Sequence, residues 1–374
     1  MIYLLPLLAI CILLASLSQW HTAQYTIKGM PYNRFTDWAY FLVVVILVLF
    51  AGLRVSYNDT VNYMRAYLKA PTFQEFVADP DSWNPFTNPL FNLYRSILKS
   101  FTNDPQLLIF TTASFTQICF IRFFKKYSHQ FAFSIFLYFT LGTFVFSLAA
   151  IKQVLAMAIM TLAFPYLEEH KWIRYYLVVL LAMMFHTYAI VFTMLPFFRA
   201  RPWSTFTFIF VAAIAVILFN FESALTAFMD QANDLGKTLS DAEVFDDATI
   251  NVFRLAVYAI PPLISLFLHR WVVVGNSEMD NIMIHMSIIS LAFMSLGTQA
   301  GANMFGRMGN YFELGTICCL PNMLKKSFEE QSYRLISVIA CVGFLGFFYY
   351  ANAVKLDFAE RYQIMNLLEL LPFG

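Results

Sequence analysis

Apolar runs of helix length, separated by short polar turns, repeat along this chain from end to end. Drawn by periodicity, the runs are Ile2–Ser18, Trp38–Leu53, Gln106–Phe124, Phe131–Leu148, Val154–Leu167, Tyr175–Phe198, Thr205–Phe221, Val252–Leu268, Ile282–Gly297, Phe305–Leu324 and Ile336–Ala351. Several fall short of the ~20 residues that cross a bilayer upright. The pattern predicts an all-α, polytopic integral membrane protein of about 11 hydrophobic spans.

Lysine and arginine give the orientation, because short cytoplasmic connections collect them. The turns at Arg122/Lys125/Lys126, Lys171/Arg174, His269/Arg270 and Lys325/Lys326 are basic and belong inside. Lys28 and Arg34 put the first connection inside as well, and the N-terminus outside. Alternation then fails at Tyr175–Phe198, which is followed by Arg199 and Arg201. Two half-length helices broken around His186-Thr187, entering and leaving by the cytoplasmic side, remove the conflict. Broken backbone at that depth is tolerated only where protein or a polar cavity surrounds it. A re-entrant helix pair with His186 at its tip is therefore expected.

Two outer segments are long, 54–105 and 221–249. The first contains Pro89–Phe101, whose apolar positions follow a helical period and predict an amphipathic helix in the interface. The second sets Asp230, Asp234, Asp241, Glu243, Asp246 and Asp247 against one Lys237, which reads as a solvated loop.

Composition agrees. Hydrophobic residues make up 60% of the 374 positions and charged ones 13%, with a mean hydropathy of +0.63. Soluble domains carry roughly 25% charge. The 42 Phe and 20 Tyr suit helix packing and interface belts. A net charge of +1 argues against a nucleic-acid partner. Cys11, Cys119, Cys318, Cys319 and Cys341 lie in apolar runs without metal-ligand spacing and are expected to be packing residues. The first run lacks the basic start of a cleaved signal peptide and reads as a retained span.

The remaining charges are more informative. Arg54 ends a span in Gly52-Leu53-Arg54, with Asn58-Asp59-Thr60 and Tyr63 just beyond. Lys152-Gln153 stands where one span ends outside and the next begins. His186 lies in Phe185-His186-Thr187-Tyr188-Ala189, and Arg307 in Gly306-Arg307-Met308-Gly309-Asn310-Tyr311. Arg254 occupies the matching depth of its own span. Each has a bland reading: interface anchor, helix cap, snorkelling lysine or packed core histidine. Independent anchors need not share one face, however, and the drawn topology puts all of these at the outer half. Ionisable groups in a membrane protein need a partner, a substrate or a water-filled cavity. Converging cations point to an anion site, with diphosphate the membrane-borne candidate.

These elements, in this order, resemble the EpsG family of Wzy-type polymerases of bacterial exopolysaccharide and O-antigen. The likeness runs from about Gly52 to Tyr311. One departure is that the family usually shows Arg-Gln where this chain has Lys152-Gln153. The charge stays while the bidentate fork is lost.

The resemblance implies a single transmembrane glycosyltransferase domain over 1–374, GT-C-like, in the bacterial inner membrane. It would polymerise undecaprenyl-diphosphate-linked repeat units on the outer face by single displacement. Diphosphate is already a weak base, so its departure calls for charge neutralisation rather than a general acid. One base must take the acceptor hydroxyl's proton, and Asp59 and His186 are the candidates. Arg54, Lys152, Gln153, Arg254, Arg307, Tyr63 and Tyr311 would contact the diphosphate or sugar. Asp246-Asp247 has no further ligand at useful spacing, so no metal or cofactor is expected. Implied partners are the lipid-linked glycans, membrane lipids, and a chain-length regulator and flippase of the same pathway. The alternatives are a glycan ligase like that of O-antigen and a flippase or transporter.

Overall fold

The computed structural model describes residues 1–27, 36–220, 226, 250–299 and 303–365, and these are almost entirely helical. The expected loop at 221–249 lies outside the described residues apart from position 226. Helices Leu4–Gln24, Gln106–Tyr127, Ile151–Glu168, Glu278–Leu296 and Glu330–Lys355 are long and apolar enough to cross a membrane. A sixth span results if Phe131–Thr140 and Thr143–Ala149, bent by 55°, are taken together. Among the described residues, full-length crossings number five or six against the expected total of about 11. Several drawn spans are shorter apolar helices, among them Trp38–Gly52, Trp172–Phe185, Thr205–Phe219 and Val252–Phe267. Another, drawn as Phe305–Leu324, is two helices, Asn303–Asn310 and Glu313–Ser327, broken at Tyr311-Phe312.

Gln106–Tyr127 packs between Trp38–Gly52 and Ile151–Thr161, while Leu4–Ile27 packs on Trp38–Gly52 and Phe131–Thr140. Glu278–Leu296 organises the other half, against Val252–Phe267, Asn303–Asn310 and Glu313–Ser327. Small residues set how closely these approach. A Cβ at Gly315 would run into Met286 and come 3.0 Å from the Met283 carbonyl. The bend in the Phe131–Ala149 pair sits at Gly142, whose φ of +91° suits a residue without a Cβ. Pro321 lacks the N–H that would bond the Ile317 carbonyl, and Ser134 Oγ donates to that carbonyl at 2.9 Å instead.

The expected break at His186 is present. Helix Trp172–Phe185 ends there and a 3₁₀ segment, Thr187–Phe197, runs back along it. Tyr175 donates its hydroxyl to the Phe192 carbonyl at 2.7 Å, and Arg199 lies over the Trp172 ring at 4.6 Å. The segment thus leaves by the end at which it entered, with His186 at the tip.

The basic turns share that same end. Lys326 donates to the Val274 carbonyl, His269 bonds the Pro202 carbonyl, and Arg199 and His170 both meet Glu278. Because Gln106–Tyr127 runs from the Arg54 region to Lys125, the two ends are called here the Gln106 end and the Lys125 end. At the Gln106 end lies the amphipathic helix, formed over Pro89–Phe101 as the pattern predicts.

Candidate functional site

After Trp38–Gly52 the chain turns into a short strand, Arg54–Ser56, paired antiparallel with Gln363–Ile364 near the other end of the sequence. Tyr362 stacks on Phe50 with ring centroids 4.6 Å apart and donates to the Phe50 carbonyl at 2.6 Å. Enclosed by this pairing, Arg54 is only 1% exposed. Its Nε donates to Thr60 Oγ1 at 3.2 Å and its Nη1 to the Ala51 carbonyl. The guanidinium therefore caps the negative C-terminal end of its own helix. Gln106 Nε2 adds bonds to the carbonyls of Gly52 at 2.6 Å and Arg54 at 3.2 Å.

Asp59 opens helix Thr60–Leu68 from the N-cap position, yet its side chain makes no cap bond and is exposed. One turn later, Tyr63 is half-buried. Burial, and next the Asp59 charge, push its phenol up to about 12, so it stays a neutral hydrogen-bonding group. Opposing them are the Lys152 backbone, Arg307 and Arg54. Tyr63 thus meets the backbone of Lys152 and feels the charges of nearby Asp59 and Arg54 and of Arg307, which is distant in sequence.

Gln153 ties two of the expected elements together. Its amide is buried and donates to the Arg307 carbonyl at 2.6 Å, which fixes the short helix Asn303–Asn310 against Ile151–Thr161. Arg307 itself projects outward and is exposed. Among the described residues it forms no ion pair with a carboxylate.

His186, at the hairpin tip, meets Tyr311 at the break between Asn303–Asn310 and Glu313–Ser327, Nδ1 to hydroxyl 2.7 Å. Tyr311 is wholly buried, and this bond to the imidazole satisfies its hydroxyl. The adjoining Thr187 N–H donates to Asn88 Oδ1 at 3.2 Å, which ties the tip to the start of the amphipathic helix.

Arg254 is held apart from this group. Its Nη2 donates to Asn310 Oδ1 at 3.0 Å and to Glu313 Oε1 at 3.1 Å. Glu313 is 0% exposed, and Thr143 Oγ1 donates to its other oxygen at 2.7 Å. Arg254 was expected at the diphosphate or sugar, and its partner Glu313 had no expected role. The signal was present, because a carboxylate beginning an apolar helix has to find a cation or a donor.

The structure therefore gathers Asp59, Tyr63, Lys152, Gln153, Arg307, Tyr311 and His186 at the Gln106 end, with Arg54 behind them and Arg254 to one side. The model of the EpsG family matches residues 37–366 of the chain. The chain belongs to the EpsG family. No curated protein and no solved structure matches it. At family level, membership makes this a multi-pass membrane protein and a polymerase-type glycosyltransferase of polysaccharide synthesis. The EpsG match takes in every residue of the gathered group and the C-terminal strand that encloses Arg54.

Proposed function

We propose that this EpsG-family protein joins oligosaccharide repeat units carried on undecaprenyl diphosphate, working at the outer face of the inner membrane. The Gln106 end is that outer face and the basic Lys125 end is cytoplasmic. The observation that carries this reading is exposed Arg307 on a short helix that Gln153 bonds, one residue from Lys152, whose backbone meets Tyr63. An exposed arginine beside a lysine at the end of a helical bundle is built to receive an anion.

In the proposed reaction, the acceptor hydroxyl oxygen attacks the donor's anomeric carbon in one displacement. The bond from that carbon to the diphosphate breaks, and the lipid diphosphate leaves with the electron pair. Arg307 and Lys152 neutralise the charge that grows on it. The hydroxyl proton passes to Asp59, the exposed carboxylate with no cap bond to release first. Tyr63, neutral and bonded to the Lys152 backbone, stands one turn from the base. His186, held at the hairpin tip by Tyr311, contacts the leaving diphosphate or the sugar. Arg54, enclosed and bonded to its own helix end, acts by its field and by holding Thr60 and Asp59 in place. The chemistry needs no metal or cofactor in this reading.

Asp59→Asn keeps the shape and removes the basicity. With lipid-linked repeat units and full-length protein in membranes, turnover is expected to fall at least about 100-fold while donor binding persists. Substantial polymer from Asp59→Asn together with none from His186→Gln would exchange the two roles.

A further inference from the structure

Beside the gathered residues, a second cleft of about 280 Å³ opens at the Gln106 end. The last long helix finishes in a six-residue π-helical turn, Tyr350–Lys355, which brings Tyr350, Asn352 and Lys355 to one wall. Turns of this kind are rare and recur at functional sites. Tyr57 and Asn58 line it as well, with Asn58 held at φ +45° in the left-handed region. Arg254 joins the lining, still 34% exposed while Glu313 and Asn310 hold its Nη2. Two cations, side-chain amides and aromatic faces on otherwise apolar walls form the lining of a site for an anionic saccharide.

This cleft shares both of its boundaries with the first site. Tyr57 and Asn58 line it, and the next residue is Asp59. Asn310 holds Arg254 on its side, while the next residue, Tyr311, holds His186 on the other. A chain that joins two lipid-linked units must hold both at once, and the reading above uses Arg307 and Lys152 for the donor. We infer that the Arg254–Lys355 cleft binds the second substrate, the acceptor, gripping its diphosphate and first sugar so that the attacking hydroxyl reaches Asp59. Its volume lies at the low edge of the ~300–1,000 Å³ usual for ligand sites. It has room for the head of such a molecule and leaves the lipid chain outside. Glu313 is then a positioning residue that aims Arg254 into the cleft.

The inference rests on the proposed function, and the test separates the two. Full-length protein in nanodiscs is titrated with farnesyl diphosphate as the probe, and the bound equivalents are counted by equilibrium dialysis. Two equivalents are expected. Lys355→Ala, an exposed position, should weaken one at least about 10-fold and spare the other. The charge reversal Lys355→Glu should abolish that equivalent. Arg307→Ala should remove the other one and leave the Lys355-dependent equivalent intact. A single equivalent lost in Arg307→Ala and unchanged in both Lys355 variants overturns the second site and leaves the first standing. A Lys355-dependent equivalent with no Arg307-dependent one supports the cleft and sinks the donor assignment. No binding by the unaltered protein overturns the cleft proposal.

Discussion

The two ends of this bundle partner their basic side chains differently. At the Lys125 end, several of them meet carboxylates. Lys125 meets Asp37 at 3.2 Å, Lys126 meets Glu168 at 2.9 Å, and His129 meets Asp280 at 2.8 Å. At the Gln106 end, Arg54 is bonded to backbone and Thr60, Lys152 lies beside a tyrosine, and Arg307 has no carboxylate in ion-pair reach among the described residues. Glu313, which balances Arg254, is the exception there. A charge matched within the protein holds helices together. Arg307, exposed among the gathered residues, is charge kept for something that arrives.

Lys125→Ala tests the first half of that contrast and should have the largest effect on stability. Asp37 is 1% exposed, and Lys125 also donates to Ser18 and Thr22 at 2.6 and 2.8 Å. Removing one partner of a buried pair leaves the other charge uncompensated, typically at about 3–5 kcal/mol. Thermal unfolding of the purified protein should shift downward accordingly, while the polymer made per folded molecule stays normal. Loss of polymer without loss of stability would place Lys125 in the chemistry and erase the contrast.

Gln153→Ala should sharpen the other half. Its bond to the Arg307 carbonyl positions the arginine without touching substrate, and one such bond contributes about 1 kcal/mol to stability. A small loss of stability with roughly 10-fold slower turnover is expected, because misplacing a group slightly is costly in catalysis. Unchanged turnover would show that Arg307 needs no such support. The smallest effect belongs to Lys126→Ala. That pair is about half exposed on both sides, and surface pairs contribute no more than about 1 kcal/mol. Neither unfolding nor product should move measurably.

Much of the framework was legible in the chain, because helical periodicity and basic turns are local signals. The break at His186 followed from the two arginines after Phe198, and the helix over Pro89–Phe101 from its apolar stripe. What escaped notice depends on distant partners. Nothing near Arg54 announces that Gln363–Ile364 will pair with its strand, since strands of three and two residues carry no readable period. The arginine was therefore expected at the substrate and is found enclosed. Glu313 and Arg254 are likewise far apart in sequence. The cleft at Lys355 arises from a π-turn that apolar patterning does not distinguish from the end of an ordinary span. The number of crossings is less legible, because an apolar run records burial as well as crossing.

The site's central residue is Arg307, because it alone among the gathered cations is exposed and without an ion pair among the described residues. Full-length protein carrying Arg307→Ala, reconstituted with lipid-linked repeat units, should keep its unfolding temperature and make at least about 100-fold less long-chain glycan. Arg307→Lys should recover only part of that, since the charge returns without the fork. Near-normal chain length from Arg307→Ala, in protein that remains folded, would contradict the placement of the site at the Gln106 end.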